Sequence, residues 1–359
     1  MLNFSVNLLN EEYIIRNIPN AVVLVLYIVV GILGNISVLI VYVRDMKNVF
    51  GSGRLFIPFM AFADLVTLIF NGGVEFNTEI QPFQESADNA IECKMTRFFG
   101  LVLVVTSGCV YFAIAVHRYV LICRPHSKEM TRKWKFIIII STSIFIFGVS
   151  IPKYIFYGST VVTMESERIP NQTVMAYVCG TEEEFENKLS SNIYLYILTI
   201  NSFIWSSALA VLYTFVGNRI RQRNKEAISK SYSAEEVSCS PSTDSSRRDR
   251  DHEPKQKPRL IKQMTAGSIT TFITNNRLTW MFILMTVLNV VSYIPKLVLD
   301  ISYNQDRYFF FKKEKNMYLM LMFLDNFYLF NNVANPFIYG FFDAEFRNRF
   351  KKRFCSYCR

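Results

Sequence analysis

Charge is scarce in this chain of 359 residues: Asp, Glu, Lys and Arg supply 19% of it, against about 25% in ordinary soluble domains. With 51% apolar residues and 32 Phe, a soluble fold would have nowhere to bury its aliphatic and aromatic surface, although the length alone would allow two soluble domains. Histidine is scarcer still. His117, His126 and His252 form no metal or nucleophile constellation, so an enzyme is not expected. Internal repeats are absent, which argues against a transporter assembled from two related halves. Residues 1–20 lack the apolar core of a cleavable signal peptide, so the first apolar run is expected to serve as its own insertion signal.

What the chain has instead is long apolar runs. Ala21 to Val43 covers 23 residues without a charged side chain. At 1.5 Å per residue, about 20 apolar residues cross the ~30 Å hydrocarbon layer of a bilayer. Comparable runs near 55–75, 95–122, 136–156, 193–217, 278–299 and 317–341 bring the expected number of spans to seven. The fold class is therefore an all-α seven-transmembrane helix bundle.

Charge sorting sets the expected orientation, because cytoplasmic loops are enriched in Lys and Arg. Segments 44–54, 124–135, 218–277 and 342–359 hold 27 basic and 11 acidic residues, whereas 1–20, 76–94, 157–192 and 302–316 hold 8 and 14. The formal charge of +10 is thus an orientation signal rather than the mark of a nucleic-acid binder. The expected layout is an extracellular N-terminus (1–20), a transmembrane domain (21–341) and a cytoplasmic amphipathic helix with its tail (342–359). Sequons at Asn3 and Asn171 fall on the outer side as glycosylation sites, and a third at Asn35 lies inside a span. Within the long inner loop 218–277, helical extensions of the flanking spans are expected to enclose a disordered centre near Ser238 to Pro258.

Polar residues inside spans are costly and so point to function. Gly34-Asn35 lies in the first span, Asp64 in the second, His117-Arg118-Tyr119 at the end of the third, and Asn335-Pro336-Phe337-Ile338-Tyr339 in the seventh. In this order and at these depths the set resembles the rhodopsin-like (class A) G-protein-coupled receptors, over about 20 to 355. A neuropeptide-receptor-like or orphan invertebrate member fits best. The resemblance implies a plasma-membrane receptor with a short eighth helix. Its partners would be a heterotrimeric G protein, a receptor kinase and arrestin, an extracellular peptide and membrane lipid, with no nucleic acid.

The resemblance also assigns roles. Cys93 and Cys179 match the pair that joins the third span to the second outer loop. Cys355 and Cys358 follow the basic amphipathic stretch Phe341 to Phe354 and read as palmitoylation sites or as unmodified tail cysteines. Asp64, Ser107, Asn331 and Asn335, with Asn35 nearby, match the positions that hold a sodium ion; the other reading is a protonated Asp64 in a hydrogen-bond network. No other cofactor is expected. Arg118, Tyr213 and Tyr339 match the residues that converge when such receptors activate. His117 stands where most relatives carry an acid, and a neutral imidazole cannot clamp Arg118, so raised basal signalling is expected. Other departures are Trp205 for a proline, Tyr293 for a tryptophan two before Pro295, Asn289 for a phenylalanine and Gly108 for a bulkier residue. A large Trp205 opposite a small Gly108 is expected to conserve volume.

Ligand exclusions follow from the same alignment. Gly100, eighteen residues before Arg118, stands where amine receptors carry an aspartate, and Leu329 where opsins carry the retinal lysine. The expected pocket groups are Glu75, Arg97, Gly100, Lys296, Asp300 and Asp325, which would either meet ligand or neutralise one another. Glu182, Glu183, Glu184 and Glu186 form either an acidic rim attracting a basic peptide or a solvated charge run. A chemosensory receptor of the same fold is the alternative function, with a secondary transporter less favoured.

Overall fold

The computed structural model describes residues 2–45, 54, 56–124, 132–166, 173–186, 188–238 and 257–354. Asn171, Cys355, Cys358 and most of Ser238 to Pro258 lie outside them, as does the Asn3 side chain.

Helix α1 (Leu2–Leu39) ends in a π-helical turn at Ile40–Asp45. Helix α2 (Phe56–Thr67) runs through another π-helical turn (Leu68–Gly72) into α3 (Gly73–Ile80), making one span. Then come α4 (Ala90–Cys123), α5 (Arg132–Phe156) and the antiparallel strands β1 (Tyr157–Glu165) and β2 (Thr173–Thr181). Helices α6 (Leu189–Ser238) and α7 (Lys257–Gln305) follow, and the C-terminal part of α6 and the N-terminal part of α7 extend well past the apolar runs. The last span joins α8 (Lys315–Asn326), a 3-10 turn at Phe327–Leu329 and α9 (Phe330–Phe342); α10 (Ala344–Phe354) closes the described chain.

Five of these helices are long and apolar enough to cross a membrane by themselves, and the fourth span contributes the shorter apolar helix Ile140–Phe156. The seventh is interrupted by its 3-10 turn and by Pro336, both tolerable where neighbouring helices satisfy the freed backbone groups. The distribution of residues is inverted relative to a soluble protein. Asn35, Asp64, Arg118 and Asn335 are fully buried, whereas Leu33, Phe203 and Phe337 are more than 60% exposed. Such a surface is stable only when lipid covers it. Gly34 explains how the first and last spans approach, because a Cβ there would stand 2.9 Å from Pro336 Cγ.

Helix α1 begins nineteen residues before the expected span. Pro19 sits inside it and, read alone, favours a helix start near that point. Val6, Leu9 and Tyr13 repeat at helical spacing and are buried in a satellite core with Phe83, both strands and Tyr318. Asn10 locks the arrangement: its Nδ2 donates to Phe83 O (2.9 Å) and its Oδ1 accepts from Phe83 N (3.0 Å). Arg16 lies over the Tyr318 ring at 4.0 Å. The N-terminal segment therefore caps the end of the bundle that carries the strands.

Candidate functional site

At mid-depth, α2, α4 and α9 place Asp64, Tyr111 and Asn335 in contact. Asn335 Nδ2 donates to Asp64 Oδ2 (2.7 Å) and to the Tyr111 hydroxyl (3.2 Å), which donates to Asn331 Oδ1 (3.0 Å). Asn331 Nδ2 continues to Asn289 Oδ1 at 3.3 Å, and Asn35 Nδ2 ties the first span to Asn332 O at 3.0 Å. Ser107 is buried on the edge of the network, facing a neighbouring cavity with Asn331. Tyr111 was not foreseen: within Val110-Tyr111-Phe112 it reads as one more core aromatic.

The donor set consists of oxygens of the kind that a hard cation such as sodium takes. The Oδ1 atoms of Asp64, Asn35 and Asn335 are all buried and have no protein partner. Hard cations take oxygen ligands, and an oxygen withheld from water without a donor is costly.

At the end of the bundle that carries Arg118, α4 buries this guanidinium fully, with Cζ 4.5 Å from the centre of the Phe282 ring on α7. His117 meets the Phe56 ring edge-on at 5.3 Å. Tyr119 packs edge-on against Phe215 at 6.2 Å. Tyr213 shares a 3.2 Å hydrogen bond with Thr286, and Tyr339 is buried against Tyr42. Arg118, Tyr213 and Tyr339 thus share one end of the bundle, Tyr213 bonded to Thr286 and Tyr339 packed on Tyr42, whereas Asn335 lies in the mid-depth core and Tyr293 lines the cavities towards the disulfide end.

A latch that sequence reading missed lies beside them. Arg54 Nε stands 2.6 Å from Asp343 Oδ2 and Arg54 Nη2 3.2 Å from Asp343 Oδ1, while Tyr42 donates its hydroxyl to Oδ2 at 2.8 Å. Asp343 Oδ1 also accepts from the backbone N–H of Glu345 (3.0 Å), capping α10. The stack of Tyr42 on Phe346 (5.6 Å, 12°) completes the joint.

At the opposite end the Cys93–Cys179 disulfide forms as expected, joining β2 to α4. The glutamates after β2 are not an open acidic rim. Lys94 pairs with Glu182 at 2.7 Å, while Arg307 pairs with Glu183 at 3.0 Å and also with Glu186. Arg307 further donates to Thr160 Oγ1 (3.0 Å) and Val161 O (2.9 Å), clamping the segment after α7 to the hairpin. In that segment Lys312 hydrogen-bonds Asp306 and holds its carboxyl below the usual carboxylate range. Glu184 remains exposed.

All six expected pocket residues line one cavity of about 200 Å³ beneath this clamp. Lys296 and Asp325 do meet, at 2.7 Å, and Tyr328 donates to Glu75 Oε1 at 3.3 Å. Buried Glu79, accepting from Asn326 Nδ2 at 3.0 Å, is an acid that sequence reading passed over.

A second, more apolar cavity of about 240 Å³ lies alongside, and Tyr293 and Tyr328 line both. The exchange of volume expected between Trp205 and Gly108 is not realised. Trp205 packs edge-on against Phe112 at 4.5 Å, and a Cβ on Gly108 would meet nothing within 4 Å, leaving open space between helices.

Comparison with known proteins agrees with this architecture. The family model "7 transmembrane receptor (rhodopsin family)" matches residues 34–339, from Gly34 in the first span to Tyr339 in the seventh. Neuropeptide receptor npr-1 of Caenorhabditis elegans is 27% identical over 250 residues, a match covering 66% of this chain and 51% of that protein. The alignment therefore spans about half the relative's length. The structure combines a polar core, a buried arginine at one end and a disulfide-pinned hairpin at the other, and the chain belongs to the rhodopsin family of seven-transmembrane receptors, non-enzymatic signalling proteins of the membrane.

Proposed function

We propose that this receptor is activated by a peptide and promotes nucleotide exchange on a heterotrimeric G protein. It would sit in the plasma membrane with residues 1–20 and the disulfide outside and α10 inside. The observation that carries this reading is the charged cavity at the disulfide end, lined by Glu75, Arg97, Lys296, Asp300 and Asp325. Such a lining favours a ligand rich in hydrogen-bonding and charged groups, as peptides are, and the name of the nematode relative points the same way. Gly100 in the wall of the cavity, in place of a carboxylate, speaks against an amine. The volume of about 200 Å³, below the ~300–1,000 Å³ of drug-sized pockets, also suits a small organic ligand. A G-protein signalling screen with neuropeptides, each as free acid and as amide, separates the two. A peptide response supports the proposal; responses confined to small organics, or substrate flux in vesicles without signalling, overturn it.

The polar core is the proposed sodium site. Asp64→Ala is expected to leave agonist affinity insensitive to sodium while the parent receptor responds to it, as radioligand or tracer binding at varied sodium would measure. Sodium sensitivity that survives in the variant rejects the site.

Raised basal signalling, from the lack of an acid at position 117, is the second expectation. His117 contributes an aromatic contact with Phe56 rather than an anion, so His117→Asp should lower basal G-protein activation several-fold by pairing with the guanidinium. Basal nucleotide exchange that is equal in both proteins contradicts it. On the same face, Arg219 to Lys225 and the basic residues of α10 suit anionic lipid and the G protein. Receptor-kinase phosphorylation followed by arrestin is assigned to Ser238 to Ser246, where phosphate mapping after agonist tests it.

A further inference from the structure

In the cavity at the disulfide end, four charges settle among themselves. Lys296 Nζ is 2.7 Å from Asp325 Oδ2 and 3.5 Å from Asp300 Oδ1, and Lys153 Nζ is 3.8 Å from Asp300 Oδ2. Two lysines and two aspartates sum to zero. Arg97 and Glu75 line the same cavity, from α4 and α3, and stay outside this network. Among the described residues Arg97 makes no ion pair within 4 Å, and its Nε is buried without a hydrogen-bond partner. Glu75 is 8% exposed, and among the described residues its carboxylate accepts only the 3.3 Å bond from the Tyr328 hydroxyl.

A guanidinium is always charged and presents a planar fork that matches a carboxylate. The Arg97 side chain is half-buried, but its Nε is shut away from water without an acceptor, which is costly, as is burying the Glu75 carboxylate on one long hydrogen bond. A purely anionic ligand at Arg97 would still face the Glu75 carboxylate, and a purely cationic one at Glu75 would still face Arg97. Only a ligand bearing both signs relieves both residues.

We propose that this cavity takes a ligand end carrying a carboxylate together with a guanidinium or ammonium group, the carboxylate forked by Arg97 and the cation received by Glu75. The inference rests on the reading of this cavity as the ligand site. The free carboxyl terminus of a peptide ending in a basic residue has this chemistry, and so does a free basic amino acid.

The test is thermal unfolding of the purified full-length receptor in detergent, titrated with L-arginine, L-argininamide and the tripeptide Gly-Gly-Arg with a free carboxyl group. L-Arginine and Gly-Gly-Arg should raise the midpoint, with L-argininamide at least tenfold weaker for want of the carboxylate. In Arg97→Gln the preference for carboxylate over amide should vanish. In Glu75→Gln it should persist while affinity for L-arginine falls about tenfold. Arg97→Lys, which keeps the charge and loses the fork, should retain a reduced preference and serves if Arg97→Gln does not fold. Tighter binding of Gly-Gly-Arg identifies a peptide terminus as the source, and tighter binding of L-arginine a free amino acid; both support the shared chemistry. No shift of the parent midpoint by any probe overturns the inference, as does an Arg97→Gln variant that still distinguishes acid from amide. If Arg97 and Glu75 serve only each other, the exchange Arg97→Glu with Glu75→Arg restores the parent midpoint and the probes act alike on every variant, which also overturns it. A receptor that signals to peptides yet ignores all three probes refutes this inference and spares the peptide reading; probe binding without any G-protein response does the reverse.

Discussion

Asp343→Ala is expected to destabilise the receptor by about 3–5 kcal/mol, the cost of removing one partner from a buried ion pair. Three groups lose their acceptor at once. Among the described residues the Arg54 side chain, 11% exposed, is left with only the 3.4 Å contact to Glu345. The Tyr42 hydroxyl loses its 2.8 Å bond, and α10 loses the cap on its first turn. Asp343→Asn keeps an oxygen for the cap and for Tyr42 but withdraws the charge, so it should fall between parent and Asp343→Ala. Arg54→Met combined with Asp343→Asn removes both charges and should cost less than Asp343→Ala alone, because no unpaired ion stays buried. Thermal midpoints in detergent rank the four proteins. If Asp343→Ala shifts the midpoint no more than a substitution at exposed Glu184, the latch contributes nothing. The same joint connects the first span, the segment before α2 and the start of α10, so its loss should also weaken G-protein activation in the proteins that remain folded.

The second large effect is expected from Cys93→Ser or Cys179→Ser. The two cysteines lie 86 residues apart, and losing such a link typically costs about 2–5 kcal/mol, chiefly through the wider freedom of the unfolded chain. Function should suffer beyond stability, because Val178 and Cys179 on β2 line the charged cavity and the disulfide pins that strand to α4. A reduced thermal midpoint, reproduced by treating the parent protein with reductant, is the expected result. An unchanged midpoint in both serine variants would falsify it. The hairpin keeps other ties, since Arg307 holds Glu183 and Thr160, so the loosening should be confined to the disulfide end and leave the Asp64–Asn335 contact intact.

Much of the architecture was legible in one dimension. Windows of about 20 apolar residues report membrane crossing because the bilayer excludes unpaired backbone and charge regardless of what the helices touch. Asn35, Asp64, Arg118 and Asn335 stood out for the same reason, and all four are fully buried. The start of α1 was half legible: the stripe Val6, Leu9, Tyr13 lies in the sequence, but the apolar run that marks the span begins only at Ala21.

Pairing was another matter. Glu182 to Glu186 reads as the same acidic run whether it attracts a ligand, meets solvent or is gripped by Lys94 and Arg307, and only the approach of the hairpin to the segment after α7 chose the third. Gly108 and Trp205 could have exchanged volume or left a void, and the rotation of Trp205 toward Phe112 left the void. Tyr111 became part of the polar core because α4 turns it toward Asn331 and Asn335, more than 200 residues later in the chain. Composition and hydropathy, which act on each segment independently, determined the spans and the buried polar residues, while the resemblance to the family rested on the motifs within those spans. The rotation and approach of helices remote in sequence, such as Arg54 and Asp343 at a separation of 289, decided which charges are satisfied and which, at Arg97 and Glu75, face the cavity.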